Sequence, residues 1–362
     1  MINRSNRSYR SDTCYILAPS VQMEHALPIL AEVTRGPITE SRHRGAIVIV
    51  TPDGNTIAGL GDDGLITSTR STIKPIQAIP FITSGAADSF NVSERELAVV
   101  CASHEGERIH TETVADMLAR AGLDESALRC GPQLPYSQET AKELESSGEA
   151  FSQLHNNCSG KHTGMLMTAV VRGLSLDDYI SIDHPVQREI VSTFARLAGL
   201  DQTPPIAIDG CSAPTFGVPL RSLAVAFARL VNPSELDSKL AAASSRIVEA
   251  MTRHPEMVGG TKGRFDTDLL RAAGGKLICK VGAEASYCVG VLPSAKFPRG
   301  VGIALKMEDG SYRGLGPTVV EILRQLAVLN DDQISQLAYY HKPIIENRRG
   351  LHVGEVRSVF KI

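Results

Sequence analysis

The run Thr69-Arg70-Ser71-Thr72-Ile73-Lys74-Pro75 sets a hydroxyl three residues before an amine. It opens a stretch that reads as a helix from Lys74 to Ser84, with Pro75 at an early position that suits its fixed φ. Residues three apart on a helix share a face, so Ser71 Oγ and Lys74 Nζ are expected to meet. A serine hydroxyl is a poor nucleophile until a base takes its proton, and a neutral lysine does so when burial or nearby cations lower its pKa. Two fixed positions in four arise by chance in most long chains, so on this motif alone a capping serine beside a solvated lysine is the better explanation.

Four further stretches concentrate reactive groups. In Val99-Val-Cys-Ala-Ser-His-Glu-Gly-Glu107 an apolar helix runs out into small and polar residues, which places Ser103 and His104 at a cavity edge or in an ordinary loop. His155-Asn-Asn-Cys-Ser-Gly-Lys-His-Thr-Gly164 is the densest, and opens a helix expected over Met165–Val171. A cysteine at a helix N-terminus has its thiolate favoured by the dipole, which makes Cys158 a nucleophile, a metal ligand or a buried thiol among capping asparagines. Ile208-Asp-Gly-Cys-Ser-Ala-Pro214 ends a short strand, a usual place for site residues. Cys158 and Cys211 with one nitrogen or oxygen donor suit zinc, although their distance apart in sequence gives that pairing little support. In Lys280-Val-Gly-Ala-Glu284 a lysine precedes a glycine on an inner strand, the element that completes a Ser-x-x-Lys site. Lys262, in Gly259-Gly-Thr-Lys-Gly263, competes with it as a loop lysine, and an exposed strand lysine is the plainer reading of Lys280.

These groups need a frame. Ala46–Thr51 and Thr56–Leu60, separated by Pro52-Asp-Gly-Asn55, read as a β-hairpin. From Lys74 to about Asn330 the signals are mostly helical: Ser93-Glu-Arg-Glu96 is a capping box, Gly122 and Gly173 sit where C-caps belong, and Asn232-Pro233 opens a helix to about Met251. Strand character returns at Ile206–Ile208, Leu277–Val281, Ser286–Leu292 and Val301–Lys306. Strands at both ends with helices between predict an α+β fold, with an antiparallel sheet built from both chain ends and a helical layer inserted between.

Composition narrows the function classes. The 362 residues are 43% hydrophobic, 21% charged and 5% aromatic, which excludes disorder, collagen-like repeats and coiled coil. A net charge of -3 gives no electrostatic case for nucleic acid or an anionic membrane surface, and no stretch of about 18 apolar residues predicts a transmembrane helix. Seven cysteines without a CxxC pair fit reduced thiols in the cytoplasm better than a disulfide framework. The basic segment Met1–Arg10 lacks the apolar core of a signal peptide, so residues 1–20 read as a flexible tail and 21–362 as a single domain.

Read together, Glu40-Ser-Arg-His-Arg-Gly45, Arg70-Ser-Thr-Ile-Lys-Pro75, Cys101-Ala-Ser-His104, His155-Asn-Asn-Cys-Ser-Gly-Lys-His162, Asp209-Gly-Cys211 and Lys280-Val-Gly-Ala-Glu284 resemble the rhizobial-type L-asparaginase family, over about residues 20 to 360. The resemblance implies a serine β-lactamase-like fold, a homodimer, and hydrolysis of L-asparagine to L-aspartate and ammonia. It makes Ser71 with Lys74 one Ser–Lys pair and Ser103 with Lys280 a second. It implies zinc held by Cys158, Lys161, Cys211 and water, and gives Arg70, Asn157, His162 and Asp209 as candidates for holding substrate. Between Cys211 and Lys280 no anchor motif fixes the match, and Thr72 stands where a second serine would be equally natural.

The implied chemistry is physically consistent. Two neighbouring lysines disfavour each other's protonation, so one can be a neutral base at pH 7. Ser71 then attacks the carboxamide, forming an acyl-enzyme and releasing ammonia, with a backbone N–H of the helix start available to the oxyanion. Lys161 binds metal only as the free amine, so zinc affinity should fall steeply with acid. A position for zinc on the substrate's α-amino or α-carboxylate group fits two thiolates better than activation of water. Competing readings are an L-glutaminase or other amidohydrolase of the same fold, an N-terminal-nucleophile amidase cleaved at Gly260-Thr261, and a non-catalytic zinc or amino-acid binder.

Overall fold

A computed structural model describes residues 26–362; the expected tail, residues 1–20, and Cys14 lie outside the described residues. Strands β1 (Ile29–Arg35), β2 (Ile38–Val50) and β3 (Thr56–Leu60) begin the chain, and β4 (Ile66–Ser68), β5 (Ile206–Ile208) and β6 (Pro214–Pro219) follow on either side of the first helices. The chain returns through β7 (Leu277–Gly282), β8 (Ser286–Val291), β9 (Val301–Met307), β10 (Ile344–Glu346) and β11 (His352–Ser358). Eight of these make one sheet in the order β10-β11-β1-β2-β9-β8-β7, with β3 paired to β2, and β4-β6-β5 form a small second sheet. Every pairing is antiparallel, so N-terminal β1 and β2 lie between C-terminal β11 and β9, as expected from strands at both chain ends.

β2 shows why. Its second half, Ala46–Val50, is buried throughout, because β3 and β9 flank it and helices cover it, and a continuous apolar run suits a strand closed on both faces. Its first half, Ile38–Arg42, is mostly exposed and carries Glu40 and Arg42. The helix Leu220–Val231 lies against β9 and β8 so closely that a Cβ on Gly302 would stand 1.8 Å from Ala224 O, and one on Gly290 2.5 Å from Val231 Cγ1. Glycine at these two strand positions is what lets the helical layer reach the sheet.

Local signals place most elements. Ser93 and Glu96 form the reciprocal capping box of Glu94–Val100, and Gly122 and Gly173 take positive φ just after Arg108–Arg120 and Ser159–Val171. Three boundaries differ from expectation. The helix read over Lys74–Ser84 is two short pieces, Lys74–Gln77 and Ile79–Thr83, because Pro80 has no N–H to continue the ladder. The helix read from Asn232-Pro233 starts at Ser238, where Asp237 accepts the N–H groups of Lys239 and Leu240. The helix read from Met165 starts at Ser159, with Cys158 as its N-cap, so Ser159–Gly164 of the reactive run are already helical. There Gly160 abuts the end of Glu94–Val100, where a Cβ would stand 2.2 Å from Val99 O. That crossing brings the Cys101–His104 and Asn156–His162 segments together. Among the described residues no helix is long and apolar enough to cross a membrane.

Candidate active site

Ser71 sits in a 3₁₀ turn, Arg70–Ile73, which links β4 to the first helix. Arg70 takes a positive φ of 43°, an unfavourable conformation for a branched-free but bulky side chain. The surroundings hold it: Arg70 N–H donates to Thr215 Oγ1 at 3.0 Å, and Arg70 Nε to Asp209 Oδ1 at 2.6 Å. The small sheet therefore ties Asp209, after β5, to the residue before Ser71. Thr72 N–H and Lys74 N–H donate to Thr69 O and Ser71 O, so the turn itself uses two of the backbone donors expected to face an oxyanion.

Lys74 is fully buried. Its Nζ donates to Ala102 O at 2.7 Å, Ser103 Oγ at 2.9 Å, Asn157 O at 3.0 Å and, more weakly, Asn157 Oδ1 at 3.4 Å. The amine expected on Ser71 is thus hydrogen-bonded to Ser103, because the burial that hides it also drives it under the loop after Glu94–Val100. Burial is the main cause of a lowered Lys74 pKa; Cys158 opposes it and Lys161 adds to it. The Ser103 segment is itself fixed, by Ser103 N–H to Val258 O at 3.1 Å and by Arg264 Nη2 to Ser103 O at 3.1 Å. Ser71, Ser103, Asn157, Arg264 and Asp266 line one cavity of about 770 Å³. Lys280, fully buried on β7, is turned toward Asp266 rather than Ser103, with Nζ 3.5 Å from Asp266 Oδ2 and 3.0 Å from Val281 O.

The thiol cluster lies beneath Asn157. Asn156 shapes the turn, donating to Cys130 O and Gly131 O and accepting Cys158 N–H at 2.9 Å. Lys161 Nζ donates to Cys211 Sγ at 3.1 Å, and Cys158 Sγ lies 2.9 Å from Asn157 Oδ1. The hydrogen bond from Cys158 and the charge of Lys161 hold Cys211 well below the usual thiol range against the effect of burial, while sharing with Cys211 and burial push Cys158 up. Burial pulls Lys161 down, but Cys211, Cys158 and Asp209 outweigh it and the net shift is upward. The contact favours a thiolate on Cys211 opposite an ammonium on Lys161.

A family model described as L-asparaginase II matches residues 31–358. The chain belongs to the L-asparaginase II family. It is an amidohydrolase, acting on a small-molecule amide. Among curated proteins there is no match. A Bacillus subtilis glutaminase in covalent complex with 5-oxo-L-norleucine is 12% identical over 82% of this chain and 93% of that one, with a TM-score of 0.38. A Bacillus glutaminase in the presence of 4.3 M NaCl is 13% identical over 79% and 91%, with a TM-score of 0.42. A β-lactamase from Desulfarculus baarsii is 15% identical over 82% and 90%, with a TM-score of 0.29.

In this L-asparaginase II family member, the metal question turns on donor chemistry. Among the described residues no group of three or more His, Cys, Asp or Glu side chains is arranged to hold a metal ion. The candidate set is two thiols and an amine, and beside it His162 Nε2 is buried without a hydrogen-bond partner while His162 Nδ1 meets Tyr179 OH at 2.7 Å. Soft sulfur with nitrogen suits zinc, so these residues fit the ion. Lys262 is an exposed partner of Glu139 and takes no part. Sequence reasoning missed Arg264 and Asp266. Asp266 in a first helical turn looks like an ordinary dipole partner and Arg264 before it like a solvated cation, and only the fold brings them to the cavity.

Proposed function

We propose that the protein is an L-asparaginase that hydrolyses L-asparagine to L-aspartate and ammonia through an acyl-enzyme. The contact that supports this reading is Lys74 Nζ on Ser103 Oγ at 2.9 Å, at the wall of a cavity onto which Ser71 also opens. Ser71 Oγ attacks the carboxamide carbon, its proton passes by way of Ser103 Oγ to Lys74, whose Nζ touches Ser103 and not Ser71, and the tetrahedral intermediate expels the nitrogen as ammonia once that proton is returned to it. Lys74, neutral again, takes a proton from water, whose oxygen attacks the acyl carbon; the bond to Ser71 Oγ then breaks as that proton passes back to Ser71, leaving L-aspartate and the free enzyme. Ser103 and Asn157 hold Lys74 in place, and Lys280 adds positive charge near the reacting centre. Arg70, Asn157, His162 and Asp209 hold substrate in this reading.

Zinc held by Cys158, Lys161 and Cys211 would supply a Lewis-acidic position for the substrate's α-amino or α-carboxylate group. The homodimer implied by the family resemblance belongs to the same proposal, and sedimentation at twice the chain mass is its check. Ammonia release from L-asparagine and L-glutamine by wild type, Ser71→Ala and Ser103→Ala tests the whole. Asparagine is expected to be the better substrate; one methylene is worth about 1–3 kcal/mol in a pocket, so discrimination of roughly 10–200-fold is the scale to look for. Ser71→Ala should form no acyl-enzyme in a rapid-quench mass measurement. Equal turnover by all three proteins removes both serines from the reaction.

A further inference from the structure

Lys280 and Asp266 form an ion pair shut off from water, at 0% and 1% exposure, across two elements: Asp266 in the first turn of the helix Phe265–Ala273 and Lys280 in β7. The carboxylate is fixed from several sides. Asp266 Oδ2 accepts Val281 N–H at 3.1 Å as well as facing Lys280 Nζ, so it is bound to the strand that carries its partner. The turn before it is pinned by Thr267 Oγ1, which donates to Pro255 O at 3.1 Å and accepts Gly260 N–H at 3.2 Å. Asp266 Oδ1 is buried without a hydrogen-bond partner, and Asp266 lines the cavity together with Ser71 and Ser103. A buried carboxylate with one oxygen idle is expensive to keep, which calls for a reason.

One of two neighbouring amines was expected to be a neutral base; the pair at β7 distinguishes them, because Lys280 has an anion within reach. We propose that Asp266 is a positioning residue that keeps Lys280 as an ammonium behind the cavity wall, which Asp266 and Val281 line, so that Lys280 is the fixed cation of the site and not a second base. A fixed, buried cation behind the cavity wall favours the negative charge that builds on the carboxamide oxygen. Its kinetic consequence rests on the amide-hydrolysis reading above; the ion pair itself does not. The groups facing Lys280 are Asp266 and Arg264 from the helix start, Lys74 from the first helix, the thiols of Cys101 and Cys288, and Cys279 on its own strand; Tyr287 faces Asp266. Burial pulls Lys280 down, Asp266 pushes it up, and Lys74 and Arg264 pull it down again, leaving it at about 8. Below that pH the amine is charged.

The test uses the full chain labelled with ¹⁵N-lysine, the Lys280 Nζ signal being assigned by its loss in Lys280→Met. In wild type the signal should titrate near pH 8. Asp266→Asn should lower its midpoint by at least one unit, Asp266→Glu should restore it, and the alkaline limb of kcat/KM for L-asparagine should move with it. A purely structural role for Asp266 would lower the rate at every pH and leave the limb in place, and that result overturns the proposal. So does a wild-type midpoint below 7, which needs no variant to fold, or a midpoint equal in wild type and Asp266→Asn. If wild type releases no ammonia while the midpoint moves as stated, the ion pair stands and the asparaginase reading falls.

Discussion

Replacing Lys74 by methionine separates catalysis from folding. Methionine keeps an unbranched chain of similar length in a site with no exposure, and removes only the amine. Three short hydrogen bonds disappear, to Ala102 O, Ser103 Oγ and Asn157 O. At about 1 kcal/mol each, that is a loss of roughly 3 kcal/mol. Against it stands the release of a buried amine, worth about 1–3 kcal/mol even when neutral and more when charged. The two nearly cancel, so the variant should unfold within about 2 kcal/mol of wild type in urea. Its chemistry should not survive: a positioned base contributes about 10²–10⁴ in rate, so kcat/KM for L-asparagine should fall by that factor, some 3–5 kcal/mol of barrier. Because the base must be deprotonated to act and burial lowers the Lys74 pKa, wild-type activity should fall on acidification only below the range of an ordinary amine. A folded Lys74→Met protein that keeps more than a tenth of wild-type kcat/KM would refute the assignment of Lys74 as base.

Three further variants probe the frame and the thiol cluster. Gly302→Ala puts a methyl 1.8 Å from Ala224 O and 2.6 Å from Ala228 N, both backbone atoms of a packed helix, so it should cost about 3 kcal/mol or more and be seen as a fall in soluble yield and urea midpoint. Ser93→Ala removes the acceptor for Glu96 N–H and should lower stability by about 1 kcal/mol with an unchanged urea m-value. Cys211→Ser should abolish binding of zinc, measured as metal per chain after dialysis against zinc and then buffer. Equal zinc content in wild type and Cys211→Ser excludes the Cys158–Lys161–Cys211 site.

What could be read from the sequence was what local chemistry decides. The hairpin at Pro52–Asn55, the Ser93–Glu96 box and the glycines at 122 and 173 each depend on a few neighbouring residues, and each is found where its signal lies. Strands β7 to β9 were legible because β-branched runs alternate with turns. The candidate site was legible as a set of reactive residues but not as a set of contacts. Lys74 meets Ser103 because Pro80 splits the first helix and a loop from another helix descends onto the amine. Arg70 takes a positive φ that no residue type announces, held by Thr215 and Asp209, which are far away in the chain. Asp266 reads as a dipole partner at a helix start until β7 brings Lys280 to it. Tertiary packing makes those decisions, and it is carried by the Gly160, Gly290 and Gly302 backbones that let elements touch.

The burial of three amines near one cavity also fixes which of them can act as base. Each charge taken out of water costs several kcal/mol unless an opposite charge meets it. Lys161 meets the Cys211 sulfur at 3.1 Å, a contact that favours the ammonium of the one and the thiolate of the other. Lys280 meets Asp266. The hydrogen-bond partners of Lys74 are instead all uncharged oxygens, which satisfy an amine but offer an ammonium no counter-charge. Lys74 is the one amine of the three that touches a serine hydroxyl, and the lack of a counter-charge among its hydrogen-bond partners favours its neutral form. Zinc at the thiol cluster would have to displace the proton of Lys161 and the proton that Cys158 keeps, so acid should weaken its binding.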